Sequence, residues 1–253
     1  MISYIWNLLL YRPLLNALAF LVSVLPGADI GLAIVILTVL VKIILFPLTQ
    51  KSLESQAAMT MLAPELDKIK KSGVSKEEQA TLTFELYKKH KVNPFSGCLV
   101  MIPAIIIILA LYSTFRKGVN FDMALLYPFI HLPTHINMLF LGFVNLTKRS
   151  YLLIILAGVS QYLQAQFMPK PAISQNGDSF QDSFAKSMNL QMKFVFPFLI
   201  AFIVYVSSGI VGLYLITSNL FSVAQQIYVK KTEKKRLNKE ISVLSHEIEN
   251  EKR

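Results

Sequence analysis

Long apolar runs dominate the chain, with little strand-like alternation between apolar and polar positions. A bilayer core takes about 20 mostly apolar residues as helix. Five runs qualify: Ile30–Leu48, Phe95–Phe115, Tyr151–Met168, Leu190–Val206 and Ile210–Val229. Only Ser207–Gly209 separates the last two, so they are expected to form an antiparallel hairpin. The pattern predicts an all-α polytopic membrane protein with five spans.

The segments between the runs carry their own patterns. The stretch "MISYIWNLLLYRPLLNALAFLVSVLP" at residues 1–26 is long enough to span, but Arg12 and Pro13 interrupt it. An arginine at mid-membrane costs at least about 2.5–3.5 kcal/mol, and proline breaks the preceding helical turn. The reading preferred is a helix on the outer surface from Pro13 to Leu25, with Trp6 and Tyr11 at the interface; a sixth span is the alternative. Between the first two runs, "KSLESQAAMTMLAPELDKIKKSG" reads as a helix stopped by Gly73. The next helix opens at Ser75, with Glu78 placed for a capping box. Together they make a two-helix hairpin with a modest stripe of Leu53, Ala57, Met61, Leu82 and Leu86. Pro169–Ser187, rich in turn-forming residues, reads as a flexible loop. Val119–Met138 is apolar but broken by Asp122, Pro128, His131, Pro133 and His135, and reads as an interfacial outer loop. The spacing of His131 and His135 suits metal ligands, but Pro133 lies between them and no cysteine is near, so ordinary interfacial histidines are favoured. In the tail, Leu237, Ile241, Leu244 and Ile248 form one helical stripe, either a continuation of the fifth span or a docking helix.

Composition agrees with this pattern. The 253 residues are 54% hydrophobic and 16% charged, against about a quarter charged in soluble domains. Mean hydropathy is +0.51. The net charge of +10 is concentrated, with eight lysines from Lys51 to Lys91 and eight Lys/Arg from Lys230 to Arg253. The stretch Arg116–Ser150 holds only four. With five spans the two basic segments fall on one side, and basic loops face the cytoplasm. That predicts a multi-pass membrane protein with a cytosolic hairpin and C-terminus. Cys98 is the single cysteine, which excludes an internal disulfide and any multi-cysteine metal site. Neither a lipoprotein-type start nor a clear cleavable signal peptide is expected. Three regions follow: a surface helix region at 1–29, a core at 30–229 that includes the hairpin at 51–93, and a basic, amphipathic tail at 230–253.

One residue resists the pattern. Lys42 interrupts "TVLVKIILFPL", about 12 Å along a straight helix from Gln50. Its side chain leans toward the helix N-terminus, away from the nearer surface. Polar residues occur at comparable depth: Thr38 in the first run, Ser160, Gln161 and Gln164 in the third, and Thr217, Ser218, Asn219, Ser222 and Gln225 in the fifth. None is acidic. Such hydroxyls and amides often serve only to join helices, which accounts for them but not for an ammonium. A cation inside the membrane faces protein or a water-filled cavity.

The stretches "TVLVKIILFPLTQKSLESQAAMTMLAPEL", "YKKHKVNPFSGCLVMIPAIIIILALY", "FLGFVNLTKRSYLLIILAGVSQYLQAQFMP" and "VSSGIVGLYLITSNLFSVAQQ" resemble the YidC/Oxa/Alb family of membrane protein insertases, in family order and over nearly everything from about Pro13 to Lys230. "KVNPFSGC" and "GLYLITSNL" are its most specific parts. The resemblance implies a five-helix core around a hydrophilic groove open to the cytosol and the lipid but sealed outside. It also implies a surface helix before the first span and a mobile cytosolic hairpin. The groove residues expected are Lys42, Thr38, Ser160, Gln161, Gln164, Tyr214, Ser218 and Asn219. Lys42 stands where the family usually has arginine, which keeps the charge but loses the planar fork. The chain looks like a minimal member, without the large extracytoplasmic domain of some branches, and Val119–Met138 is longer than usual.

Function follows as an expectation: insertion and folding of newly made membrane proteins, with no nucleotide hydrolysis since no P-loop pattern occurs. The protein is not expected to be an enzyme, and no cofactor or metal is expected. Its partners would be nascent membrane proteins and the lipid bilayer, with the ribosome and the general secretion translocon as further candidates. The basic "KKTEKKR" suits anionic lipid better than RNA. The competing class is a small transporter or channel using Lys42 as an anion site, although no internal repeat is visible.

Overall fold

In a computed structural model, the described residues are 7–90, 106–107, 109, 121, 123–168, 187 and 189–251. Trp6 and the "KVNPFSGC" stretch with Cys98 therefore lie outside the described residues, as do Phe95–Phe115 apart from three positions and Pro169–Ser187 apart from Ser187.

A π-helical turn, Asn7–Tyr11, runs into α1, Arg12–Val24. Pro13 sits in its first turn, where a missing N–H costs nothing. Helix α2, Ile30–Ile44, is capped by Asp29, whose Oδ1 accepts from the Leu32 N–H at 3.0 Å. The first apolar run then bends. Helix α3, Phe46–Met61, leaves α2 at 62°. Pro47 has no N–H for the Ile43 carbonyl one turn earlier, so the helical ladder cannot continue through it. The Leu45 N–H closes α2 on the Val41 carbonyl at 2.9 Å.

The expected helix up to Gly73 is itself in two pieces, broken at Leu62, and α4, Ala63–Lys71, restarts with Pro64 in its first turn. Gly73 turns the chain with φ +73°. The Ser75 hydroxyl then accepts from the Glu78 N–H at 3.2 Å and opens α5, Lys76–Lys89. A small core of Leu62, Leu66 and Leu86 joins this hairpin. Met61, placed on the inner stripe by its spacing, is exposed instead, because the break at Leu62 changes the helical phase. His90 Nε2 lies 3.7 Å from Glu65 across the hairpin.

A short antiparallel pair follows, β1 Leu139–Phe140 and β2 Val144–Asn145. Then come α6, Tyr151–Phe167, and a π-helical turn, Gln191–Val195, leading into α7, Phe196–Val206. Helix α8, Gly209–Glu251, continues without a break from the fifth apolar run into the tail.

The helices form a row. Helix α6 packs on both α7 and α8, α8 on α2, and α2 on α1. The tight turn at Ser207–Ser208 joins α7 to α8, but beyond it both pack on α6 rather than on each other. Close approach at the turn depends on Gly212, where a Cβ would sit 2.8 Å from Val204. The core of the row includes Leu18 and Val22 of α1, Ile34 of α2, Leu153 of α6 and Tyr214 of α8. Large apolar side chains such as Ile44, Ile155, Phe198 and Phe202 face outward as well. Helices apolar on the inside and outside alike are what a hydrocarbon solvent selects. By length and composition, Asn7–Val24 and Gly209–Thr232 can cross a membrane, as can the bent pair α2–α3 if it is one span; α6 and Gln191–Val206 are shorter apolar helices.

Candidate functional site

Lys42 lies in the last turn of α2. Because α3 bends away at Leu45, Lys42 and Gln50 are separated by only about 8 Å along the α2 axis, against 12 Å for a straight helix. The bend also ends the α2 ladder close to the ammonium. The negative end of a helix dipole favours a cation there, by about 0.3–1 kcal/mol.

The ammonium donates to the Ser222 hydroxyl of α8 at 2.9 Å. That hydroxyl donates in turn to the Ser218 carbonyl at 2.8 Å. Among the described residues Ser222 thus donates once and accepts once, while the ammonium, with three donors, makes one bond. Among the described residues no carboxylate pairs with Lys42. The result is a half-buried cation held by a neutral oxygen, with donors to spare.

One turn beyond Ser222, α8 clasps the bend. Gln225 Nε2 donates to Thr49 Oγ1 at 2.6 Å and to the Phe46 carbonyl at 3.2 Å. The Thr49 hydroxyl faces the Leu45 and Phe46 carbonyls, both at 3.1 Å. The carbonyls at the bend, Leu45 and Phe46, are thus tied to side chains of α3 and α8. Phe46 also meets Tyr228 edge to face, with ring centroids 5.9 Å apart.

The other expected site residues divide between two seams along α8. Lys42 and Ser218 lie at the α2 seam. Thr38 is fully buried, but its hydroxyl donates to the Ile34 carbonyl of its own helix at 2.7 Å. Ser160 and Asn219 meet at the α6 seam, where Asn219 Nδ2 donates to Ser160 Oγ at 3.1 Å. Ser160 also donates to the Ala157 carbonyl. Gln161 is buried and Gln164 half-buried on α6. Tyr214 is only 1% exposed and hydrogen-bonds Ser218 within α8. The sequence placed Ser222 and Gln225 among the polar residues of the fifth run without singling them out. Their roles depend on how α8 aligns with α2, which no residue count supplies. Gln226, also buried, has an Oε1 without a partner among the described residues.

Similar proteins agree on one family. The family described as "60Kd inner membrane protein" matches residues 21–236. A protein of Fusobacterium nucleatum named membrane protein insertase YidC is 33% identical over 235 residues, covering 90% of this chain and 98% of that one. A protein of the same name from Anaeromyxobacter sp. strain Fw109-5 is 38% identical over 205 residues, 81% of this chain. The match there covers 33% of the relative's length, so this chain corresponds to about a third of that protein. A third, from Oleidesulfovibrio alaskensis, is 33% identical over 89% of this chain and 39% of its own.

Proposed function

The chain belongs to the 60Kd inner membrane protein family, and from that premise we propose that it is a membrane protein insertase working through a wet intramembrane groove, without nucleotide hydrolysis. The observation that carries this reading is Lys42: a cation among apolar residues, bonded among the described residues to one neutral hydroxyl and to no carboxylate. A structural ion pair would have used its own acid. Lys42 instead suits a transient acid from a guest.

A substrate helix gains free energy on moving from water to lipid. The barrier is the polar tail that must cross with it. A hydrated groove lined by Lys42, Ser222 and Ser218, with Ser160 and Asn219 on the far side of α8, shortens the dry path. Lys42 attracts acidic residues of the tail without holding them in a dry pair. A membrane potential positive outside then draws each acidic charge outward by about 2.3 kcal/mol per 100 mV. The substrate helix leaves sideways along α2 and α8; Thr38 and Tyr214, expected beside that path, are buried and do not line it.

In this reading the core has five spans, α3–α5 form a cytosolic hairpin that meets substrate first, and the tail is cytosolic beside anionic lipid. The ribosome and the secretion translocon are candidate partners. Helix α1 lies along the outer surface. Arg12 and Asn16 bond Leu125 and Tyr127, and just past its other end Ala28 and Ile30 bond Asn137. Were α1 to span, the non-helical chain from 125 to 137 would have to cross the hydrocarbon beside it, which exposed backbone does not do.

The test is reconstitution of the protein alone in liposomes with a single-span substrate bearing an acidic tail. Wild type and Lys42→Arg should translocate the tail, and Lys42→Ala should not. Equal activity in all three would remove Lys42 from the mechanism. Anion flux without insertion would favour a transporter.

A further inference from the structure

The segment Leu139–Asn145, "LFLGFVN", contains no charge and lies apart from Lys42 and its partners. It forms the β1–β2 hairpin, and it is firmly built from below. The Phe140 ring fills the notch at Gly31, where a Cβ would come within 2.5 Å of it. Asp29 bridges two elements, capping α2 with Oδ1 and accepting from the Leu141 N–H with Oδ2 at 2.9 Å. That bond holds Leu141 at φ 51°, a left-handed conformation unusual for leucine. Val144 and Leu146 are buried, and Asn137 pairs with the chain around Asp29.

This rigid base presents apolar groups outward. Leu141 is 58% and Phe143 71% exposed at the tip, with Leu139 exposed beside them. A tip meant for water would carry polar turn residues. Its level is fixed by helix ends. The N-terminus of α2 touches it through Asp29, and Leu146 packs against Gly209 at the start of α8. Arg149, just before α6, lies over the Tyr205 ring at the end of α7 with 4.8 Å to the centroid. Lys148, Arg149 and Tyr151 are residue types that mark a bilayer boundary.

From this convergence we infer that the Leu139–Asn145 hairpin is a lipid anchor whose tip, Leu141 and Phe143, inserts into the acyl region of the leaflet at the outer ends of these helices. Its occupant is lipid, because the tip is charge-free and the start of α6, a few residues on, exposes Tyr151, Leu152 and Ile155 as well. Insertion to roughly 5–10 Å below the headgroup boundary is typical of such elements. The inference holds whatever the protein moves across the membrane.

The chain has one tryptophan, so Trp6→Phe gives a dark background. In it, Phe143→Trp is placed in nanodiscs of phosphatidylcholine and phosphatidylglycerol, where both faces are accessible. The expected result is blue-shifted emission, quenched by about half or more with lipid brominated high on its chains and less with lipid brominated near the chain ends. Phe198→Trp on the exposed face of α7 is the control for quenching within the bilayer. Emission quenched by aqueous iodide and not by brominated lipid would overturn the inference. So would emission quenched by neither, which would mean that a protein surface covers the tip. If Phe143→Trp does not fold, Leu139→Trp reads the same hairpin by the same criteria.

Discussion

Arg12 on α1 and Lys42 on α2 are both single cations set in apolar sequence, and their surroundings differ in kind. Arg12 donates its Nε–H to the Leu125 carbonyl at 3.0 Å and lies over the Tyr127 ring, 5.1 Å from the centroid. Asn16, one turn on, donates to the same carbonyl at 2.9 Å and accepts from the Tyr127 N–H at 2.6 Å. A carbonyl, a ring and the Asn16 amide together fix α1 to the chain at 125–127. Among the described residues Lys42 has one bond, to a hydroxyl. A cation with a structural task is surrounded by carbonyl and ring. One that meets a single neutral hydroxyl and no ring or backbone carbonyl among the described residues fits the task proposed for it. The difference separates a joint from a site, although both begin as a lone charge in an apolar run.

The comparison breaks most visibly at Lys42. Lys42→Ala should lower translocation of an acidic tail by at least roughly tenfold, equivalent to about 1.4 kcal/mol. Thermal unfolding in detergent should hardly move, since one bond to a hydroxyl is lost along with a desolvated charge. Protease protection of the tail in liposomes measures the first and melting the second. A large loss of stability would make Lys42 a joint after all.

Asn16→Leu should show the opposite profile. Asn16 is 2% exposed, and its removal strands the Tyr127 N–H away from water. A cost of about 2–3 kcal/mol is expected, read as a lower melting temperature, while the folded fraction keeps its insertion rate. Next comes Asp29→Ala, which removes a helix cap and the bond that holds Leu141. The cap alone is worth about 1 kcal/mol. Hydrogen exchange at the Leu141 amide should rise more than at the middle of α2. Equal protection in both would mean that the hairpin does not depend on Asp29.

Much of this was legible in the residues, and the reasons for the rest are physical. The run beginning at Tyr151 was expected to Met168 and is helical to Phe167, because nothing inside it competes with the helix. The serine at 75 announced its own cap. The bend at Leu45 was not read, although Pro47 was in plain view, because "FPL" remains apolar and a hydropathy reading passes over it. The insertion of α6 between α7 and α8 was also missed, since a short turn says which helices are joined and not which are packed. The partner of Arg12 is a backbone carbonyl 113 positions away, and carbonyls leave no mark on residue type. Within the expected site, Lys42 was legible as an anomaly of composition, but its partner Ser222 was one hydroxyl among several. Thr38 was chosen for its depth and face, and its hydroxyl turns out to bond its own helix.

The smallest effect belongs to Ser222→Ala, and it refines the comparison most. The hydroxyl relays between Lys42 and the Ser218 carbonyl. Its loss should cost about 1 kcal/mol or less of stability, because the carbonyl keeps its helical partner and the ammonium, in the proposed reading, keeps access to a wet groove. If the working element is a free charge, insertion of the acidic-tail substrate should be unchanged, since the guest's carboxylate competes with one hydroxyl fewer. If Ser222→Ala lost translocation as fully as Lys42→Ala, the unit would be the lysine held in one pose by serine. Lys42 would then resemble Arg12 more than its bonding suggests. Titrating substrates with one, two and three acidic residues separates the cases: a free charge predicts curves for Ser222→Ala that overlie those of the wild type at every tail length.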